Sequence, residues 1–203
     1  MEKNEEEDYK TIDDNRVGKP NIEWTIRDAT KSDMKSIQDI YAYYVLHSVT
    51  TYENDVPSVD DMEERYAEII RKGFPYLVAV DSCDKVCGYA YASTFRDRVG
   101  FNNTVENSVY IRHGIYRLGL GTILLKKLLD RCNGLGLRQM IAVISKGSET
   151  SEASVALHNK FGFEHQGTLK SVGYKFNQWV DCMFYQRTLG DGSFSAPTFV
   201  LDR

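Results

Sequence analysis

The chain has 203 residues, 42% of them hydrophobic and 27% charged, with a formal net charge of −4. That length and composition suit one domain with a sizeable core, and the acidic balance speaks against a nucleic-acid binder, which would show a basic face. No apolar run reaches the ~20 residues of a membrane-spanning helix, and the opening MEKNEEEDYK lacks both the apolar centre of a secretory signal and the arginines of a transit peptide.

Residues 1–21 are polar, with acidic blocks at 5–8 and 13–14, and hold too little apolar surface to order themselves. A disordered acidic tail is expected there, then one domain over 22–190 and a second tail over 191–203. Within the domain, EWTIRD reads as a first strand. Ser32 or Asp33 can cap the helix that follows, in which Met34, Ile37, Ile40, Tyr41, Tyr44 and Val45 recur at helical spacing. A second helix is expected from about Val59 to Lys72, capped by Ser58, with Met62, Tyr66, Ile69 and Ile70 on one face. PYLVAV and KVCGYAYAST read as strands around the turn Asp81-Ser82-Cys83-Asp84. The polar loop FRDRVGFNN leads into the stretch 104–129. RQMIAVIS is then a strand, KGSETSE a loop, and ASVALHNKF a helix closed by Gly162. EHQGTLKSVGYK and QWVDCMFYQRTL are the last strands. This order is that of an α+β domain, a mixed and mostly antiparallel sheet flanked by helices.

The stretch 104–129 organises the rest. Its first part is rich in β-branched and aromatic residues, as a strand should be. Arg117-Leu118-Gly119-Leu120-Gly121-Thr122 puts two glycines at a tight bend, and a helix carrying Ile123, Leu124, Leu128 and Leu129 follows. Glycine lets backbone approach a ligand without a Cβ in the way, and a helix N-terminus offers unpaired N–H groups to an anion. Together they can cradle a pyrophosphate; they also fit a plain helix start packed close on a strand. Neither a GxxxxGK phosphate loop nor a full GxGxxG is present, since Thr122 and Ile123 follow Gly121 and Leu124 holds the third-glycine position. The four cysteines, Cys83, Cys87, Cys132 and Cys182, form no CxxC pair. They read as reduced thiols of a cytoplasmic protein, with no metal site expected.

The segments IRDAT, YLVAV, FRDR, TVENSVYI, RLGLGTILL, IAVIS, ASVALHNKFGF and VGYKFNQWVD, in this order, resemble the GNAT superfamily of N-acetyltransferases. The narrower resemblance, from about Trp24 to Leu189, is to phosphinothricin and methionine sulfoximine N-acetyltransferases. It implies the GNAT fold and a direct transfer, in a ternary complex, from acetyl-CoA to the α-amino group of a small amino acid. A homodimer is also implied, with the last strands near the interface. No nucleic acid, membrane or metal is expected as a partner.

The resemblance also assigns roles. Glu106 is a misfit in a strand; it can be an outward or ion-paired residue, and the resemblance makes it the general base that deprotonates the incoming ammonium. His158 stands where many GNAT enzymes carry a Tyr near the CoA thiol, and acid, base and orienting roles are open to it. Arg96 and Arg98 would receive the acceptor's anionic groups, since guanidinium forks match oxyanions; Asp97 between them can pair with either. Tyr52, Phe101 and Tyr110 are candidate pocket walls, or plain core. Val109 and Ile111 would meet the pantetheine through backbone groups, and Arg117, Leu118, Gly119, Leu120, Gly121 and Thr122 the pyrophosphate. Two positions depart from the family's pattern. Tyr116 opens the turn where the family has Gln or Arg, and Ser151 stands where an Asn helps hold the CoA arm. Two further readings are an acetyltransferase for another small amine, such as a polyamine, and a non-catalytic acyl-CoA sensor. The arginines speak for an anionic acceptor over a polycation.

Overall fold

The computed structural model describes residues 23–148 and 150–197; the expected N-terminal tail and the last six residues lie outside them. The chain opens with strand β1 (Thr25–Asp28) and helices α1 (Met34–His47) and α2 (Val59–Arg71). Strands β2 (Tyr76–Val80), β3 (Val86–Thr94) and β4 (Thr104–Ile111) follow. Helix α3 (Leu120–Gly134), strand β5 (Gln139–Ser145), helix α4 (Ser151–Lys160) and strands β6 (Glu164–Lys175) and β7 (Gln178–Thr188) complete it.

Local chemistry sets most boundaries. Ser58 caps α2 in a reciprocal box with Asp61. Asp33 stands at the N-cap of α1 without a side-chain cap bond; a 3-10 turn, Lys31–Asp33, precedes it with its own box at Thr30, where the Asp33 carboxylate accepts from Thr30 N–H at 2.7 Å and from Arg27. Gly162 takes the left-handed conformation just past α4, as a closing glycine does. Two residues expected in apolar faces turn outward. Ile70 is exposed while Met62 and Ile69 are buried, and Ile123 is exposed while Leu124, Leu125, Leu128 and Leu129 are buried. Each lies one position, about 100° of helix, off the buried stripe.

The seven strands form one sheet in the order β1-β2-β3-β4-β5-β7-β6. All neighbours are antiparallel except β4 and β5, which run parallel, with α3 between them in the chain. β2 is buried along its whole length, as a strand covered on both faces must be. The parallel pair holds only from Thr104↔Gln139 to Asn107↔Ala142. Beyond it β4 stays with β3 as far as Ile111↔Gly88, and β5 stays with β7 as far as Ser145↔Cys182. The two central strands therefore part after Asn107 and open a wedge in the sheet.

Candidate active site

The ladder with β3 determines which backbone groups face this wedge. Arg112 N–H donates to Cys87 O at 2.8 Å, continuing the β3–β4 register. In an antiparallel pair, alternate residues turn both N–H and C=O to the same neighbour. Ser108, Tyr110 and Arg112 thus turn toward β3, and Val109 and Ile111 turn toward the wedge. Tyr44 of α1 donates its hydroxyl to Ile111 O at 2.6 Å. On the opposite side Lys146 N–H donates to Asp181 O, so Val143 and Ser145 of β5 face the wedge in turn.

Side chains alternate between the faces of a strand. Glu106, Ser108 and Tyr110 project toward α1, where the Tyr110 ring meets Tyr41 and Tyr44 edge-on at 5.3 and 5.2 Å. Tyr110 also stacks on Tyr89, and burial raises its phenol pKa well above the ordinary value. Its ring is packed into an aromatic ladder. Glu106 is largely enclosed, close to Tyr91 and Cys182. Among the described residues no side chain hydrogen-bonds or ion-pairs with it, and burial raises its pKa above the ordinary 4.5. A carboxylate with a raised pKa and no ion-pair partner is a stronger base than one held by an arginine.

His158 lies on the other face. Asn107, next after Glu106, projects toward α3 and α4, and its side-chain oxygen is 3.0 Å from His158 Nε2. The Asn107 amide also donates to Ile141 O at 3.1 Å. Asn107 thereby ties β4, β5 and α4 together at the last paired rung, where the wedge begins. His158 Nδ1 is 2.8 Å from Ser154 O, and Phe163 packs edge-on against the ring. Both ring nitrogens face oxygen acceptors, which favours a doubly protonated ring, but burial outweighs this and lowers the pKa below 6.5. Asn107 escaped the sequence reading; an Asn inside a β-rich run, beside the misfit Glu106, was the available signal.

The glycine turn closes the same end of the sheet. Arg117 and Gly119 hold left-handed φ values of 54° and 83°, and Gly119 caps α3. The first helical bond runs from Ile123 N–H to Gly119 O, so the N–H groups of Leu120, Gly121 and Thr122 lie ahead of the helical ladder. A Cβ on Gly121 would stand 3.4 Å from Leu157 of α4. The first turn of α3, the positive end of its dipole, is thus set against α4 beside the wedge.

An acetyltransferase (GNAT) domain matches residues 26–184. The chain is a member of the GNAT family. It is 39% identical to phosphinothricin N-acetyltransferase of Alcaligenes faecalis over 173 residues, 85% of this chain and 86% of that one. It is 37% identical to the L-methionine sulfoximine/L-methionine sulfone acetyltransferase of Pseudomonas aeruginosa, over 85% of this chain and 98% of the relative. The crystal structure of a GNAT superfamily phosphinothricin acetyltransferase from Sinorhizobium meliloti, in complex with AcCoA, superposes with a TM-score of 0.83 at 44% identity, covering 88% of this chain and 95% of that one.

The remaining GNAT positions fall into two groups. Arg96 and Arg98 are exposed at the end of β3, with Arg96 over the Phe95 ring at 5.2 Å and Phe95 edge-on to Phe101. Asp97 pairs with neither arginine among the described residues. Tyr52 is partly exposed on the Glu106 face, near Ser145 and Cys182, and burial raises its phenol pKa. With Val172, Gly173, Tyr174 and Cys182 it lines an open cavity of about 420 Å³. Tyr116 and Ser151, the two positions expected to depart from the family's pattern, both have partners within the chain. Tyr116 hydrogen-bonds His113, which stacks on Tyr43. Ser151 is buried, donates to Ser145 O at 2.5 Å and accepts from Ser148 N–H at 2.9 Å. Its hydroxyl staples the start of α4 to the end of β5. Among the described residues no cluster of His, Cys, Asp or Glu could hold a metal ion, and no helix is long and apolar enough to cross a membrane.

Proposed function

We propose that this GNAT enzyme transfers the acetyl group of acetyl-CoA to the α-amino group of a small amino acid or analogue of the phosphinothricin or methionine sulfoximine type, directly within a ternary complex. The observation that carries this reading is the position of Glu106. It lies at the rung before the wedge opens, with no salt-bridge partner among the described residues and its pKa raised by burial. The acceptor ammonium gives its proton to the Glu106 carboxylate, directly or through one water. The freed amine attacks the thioester carbonyl carbon; the N–C bond forms, the C–S bond breaks, and the second proton shed by the acylated nitrogen passes to the departing thiolate. The N–H of Val109 polarises the thioester oxygen, Ile111 N–H holds the pantetheine, and the turn 117–122 holds the pyrophosphate through backbone N–H groups. With both ring nitrogens engaged, His158 is best placed to orient the thiol end of the cleft. Arg98, with Arg96, receives the anionic groups of the acceptor, and Tyr52 and Phe101 wall its pocket.

The similarity to a phosphinothricin N-acetyltransferase and to an L-methionine sulfoximine/L-methionine sulfone acetyltransferase supports this acceptor class. Leu169, Val172, Tyr174, Phe176 and Trp179 stand exposed on the β6–β7 hairpin, apolar surface that supports a homodimer through the last strands. Four free thiols support a cytoplasmic location.

Thiol release from acetyl-CoA tests the reading against methionine sulfoximine, methionine sulfone, phosphinothricin, ordinary amino acids and spermidine. Release with the sulfoximine, sulfone or phosphinothricin is the expected result. Release with spermidine alone would discard the anionic acceptor, and acetyl-CoA binding with silence throughout would make the protein a sensor.

A further inference from the structure

The tip of the β6–β7 hairpin grips a loop far earlier in the chain. Lys175, the last residue of β6, is only 2% exposed. Its ammonium donates to Ser48 O and to Thr51 O, both at 2.8 Å, and faces the Phe176 ring at 4.9 Å. A lysine this enclosed is rare unless its donors are satisfied, and here they are spent on main-chain carbonyls of the turn that precedes Tyr52. Two residues back along β6, on the same face of the strand, Gly173 lies under the Tyr52 ring. A Cβ there would fall 2.1 Å from Tyr52 Cε1. The hairpin is itself rigid: Phe176 and Asn177 both hold positive φ, as a tight two-residue turn requires, and Tyr174 donates to Asn177 Oδ1 at 2.6 Å. The loop is pinned from its other side as well. Tyr41 Oη is 2.7 Å from Thr51 Oγ1 and donates to Glu53, which Arg65 clamps through both nitrogens.

We propose that Lys175 and Gly173 are positioning residues that set the acceptor end of the site by holding the Tyr52 loop against the last hairpin. Lys175 fixes the main chain on the N-terminal side of Tyr52, and Gly173 leaves the space its ring occupies. The inference rests on the reading of Tyr52 as a wall of the acceptor pocket. It goes beyond that reading because Lys175 is not among the residues that line the Tyr52 cavity, and Gly173, which is, acts through the space it leaves for the Tyr52 ring. The wall belongs jointly to the α1–α2 loop and to β6, so a change at the hairpin alters acceptor recognition without touching the acetyl-CoA cleft.

Two variants test it. Lys175→Met keeps the stem and removes the donors. Gly173→Ala leaves Lys175 in place, and because Gly173 does not hold a left-handed φ, the added methyl acts on Tyr52 and not on the backbone. Each is expected to raise the KM for the acceptor about tenfold, with kcat and the KM for acetyl-CoA within about twofold of wild type. In a Tyr52→Ala background Gly173→Ala should add nothing further. Equal shifts in both KM values, or additive effects with Tyr52→Ala, would overturn the proposal. Hydrogen exchange separates this outcome from a failure of the acetyltransferase reading, since it needs no turnover. Lys175→Met should speed exchange of the amides at 48–53 by about tenfold or more while α3 keeps its protection, and unchanged protection at 48–53 would refute the positioning role. Should Lys175→Met not fold, the Gly173→Ala kinetics and exchange decide alone.

Discussion

His158 Nε2 lies 3.0 Å from the side-chain oxygen of Asn107, the residue next to Glu106 in β4. Glu106 and His158 are therefore on opposite faces of the sheet, joined through one peptide unit at the rung where β4 and β5 part. In the proposed mechanism the acceptor end and the thiol end of the cleft meet at this rung. Asn107→Ala should leave Ile141 O and His158 Nε2 without a partner in a buried setting, at a cost of about 1–3 kcal/mol, read as a lower urea midpoint. Asn107→Asp should raise the imidazole pKa by setting a carboxylate against it, and an NMR titration in which His158 moves equally in both variants would count against the contact.

Acid should weaken the fold through the same histidine. The folded-state pKa of His158 lies below its ordinary 6.5 because burial disfavours the charged ring. Between those two values the unfolded chain binds the proton and the folded chain does not. The stability contributed by a neutral His158 is thus complete above about pH 6.5 and declines as pH falls toward the folded value. The difference in urea midpoint between pH 7.5 and pH 5.5 should be smaller in His158→Gln than in wild type. An identical difference would place the acid sensitivity elsewhere.

Glu106→Gln should separate activity from stability. The raised pKa means that the folded chain holds the proton more tightly than the unfolded chain, so ionisation above pH 4.5 costs stability. The amide removes that cost, and the variant should melt higher at neutral pH. Turnover should fall by about 10²–10⁴ while acetyl-CoA still binds. The wild-type rate should rise with pH through a midpoint above 4.5. Full activity in the variant would remove Glu106 from the base role.

Gly119 is the turn position where the absence of a side chain matters most, with φ at 83°. Gly119→Ala should cost about 1–2 kcal/mol of local strain and rotate the N–H groups of the first turn of α3. The KM for acetyl-CoA should rise about tenfold and the KM for the acceptor should not. Gly100, with nothing within 4 Å of an added Cβ, serves as the control substitution.

Arg96 and Arg98 have no carboxylate partner among the described residues, so their removal should leave stability within about 0.5 kcal/mol. Arg98→Ala should raise the KM for an anionic acceptor, by more than Arg96→Ala, whose guanidinium already rests on Phe95. Asp97→Asn should be silent. A loss of thermal stability in Arg98→Ala without a change in KM would make the loop structural.

Periodicity and local chemistry, which are properties of neighbouring residues, suffice to place the elements. The Ser58–Asp61 box, the strand YLVAV, the left-handed Gly119 and Gly162 after α4 are all local events, and each forms where its sequence pattern puts it; Gly121, expected in the same bend as Gly119, lies instead in the first turn of α3. Ile70 and Ile123 depart from their expected faces because a one-residue error in helical phase is invisible until the partner surface is known. The tertiary structure alone decided how far β4 and β5 stay paired, since that depends on what β3 and β7 do on either side. It alone put Glu106 and His158 on opposite faces, and committed Ser151 to a staple and Tyr116 to His113. It also brought Lys175 to carbonyls 124 and 127 residues away. Local patterns carry no record of such separations, because which distant groups share a buried space is chosen by packing of the whole chain.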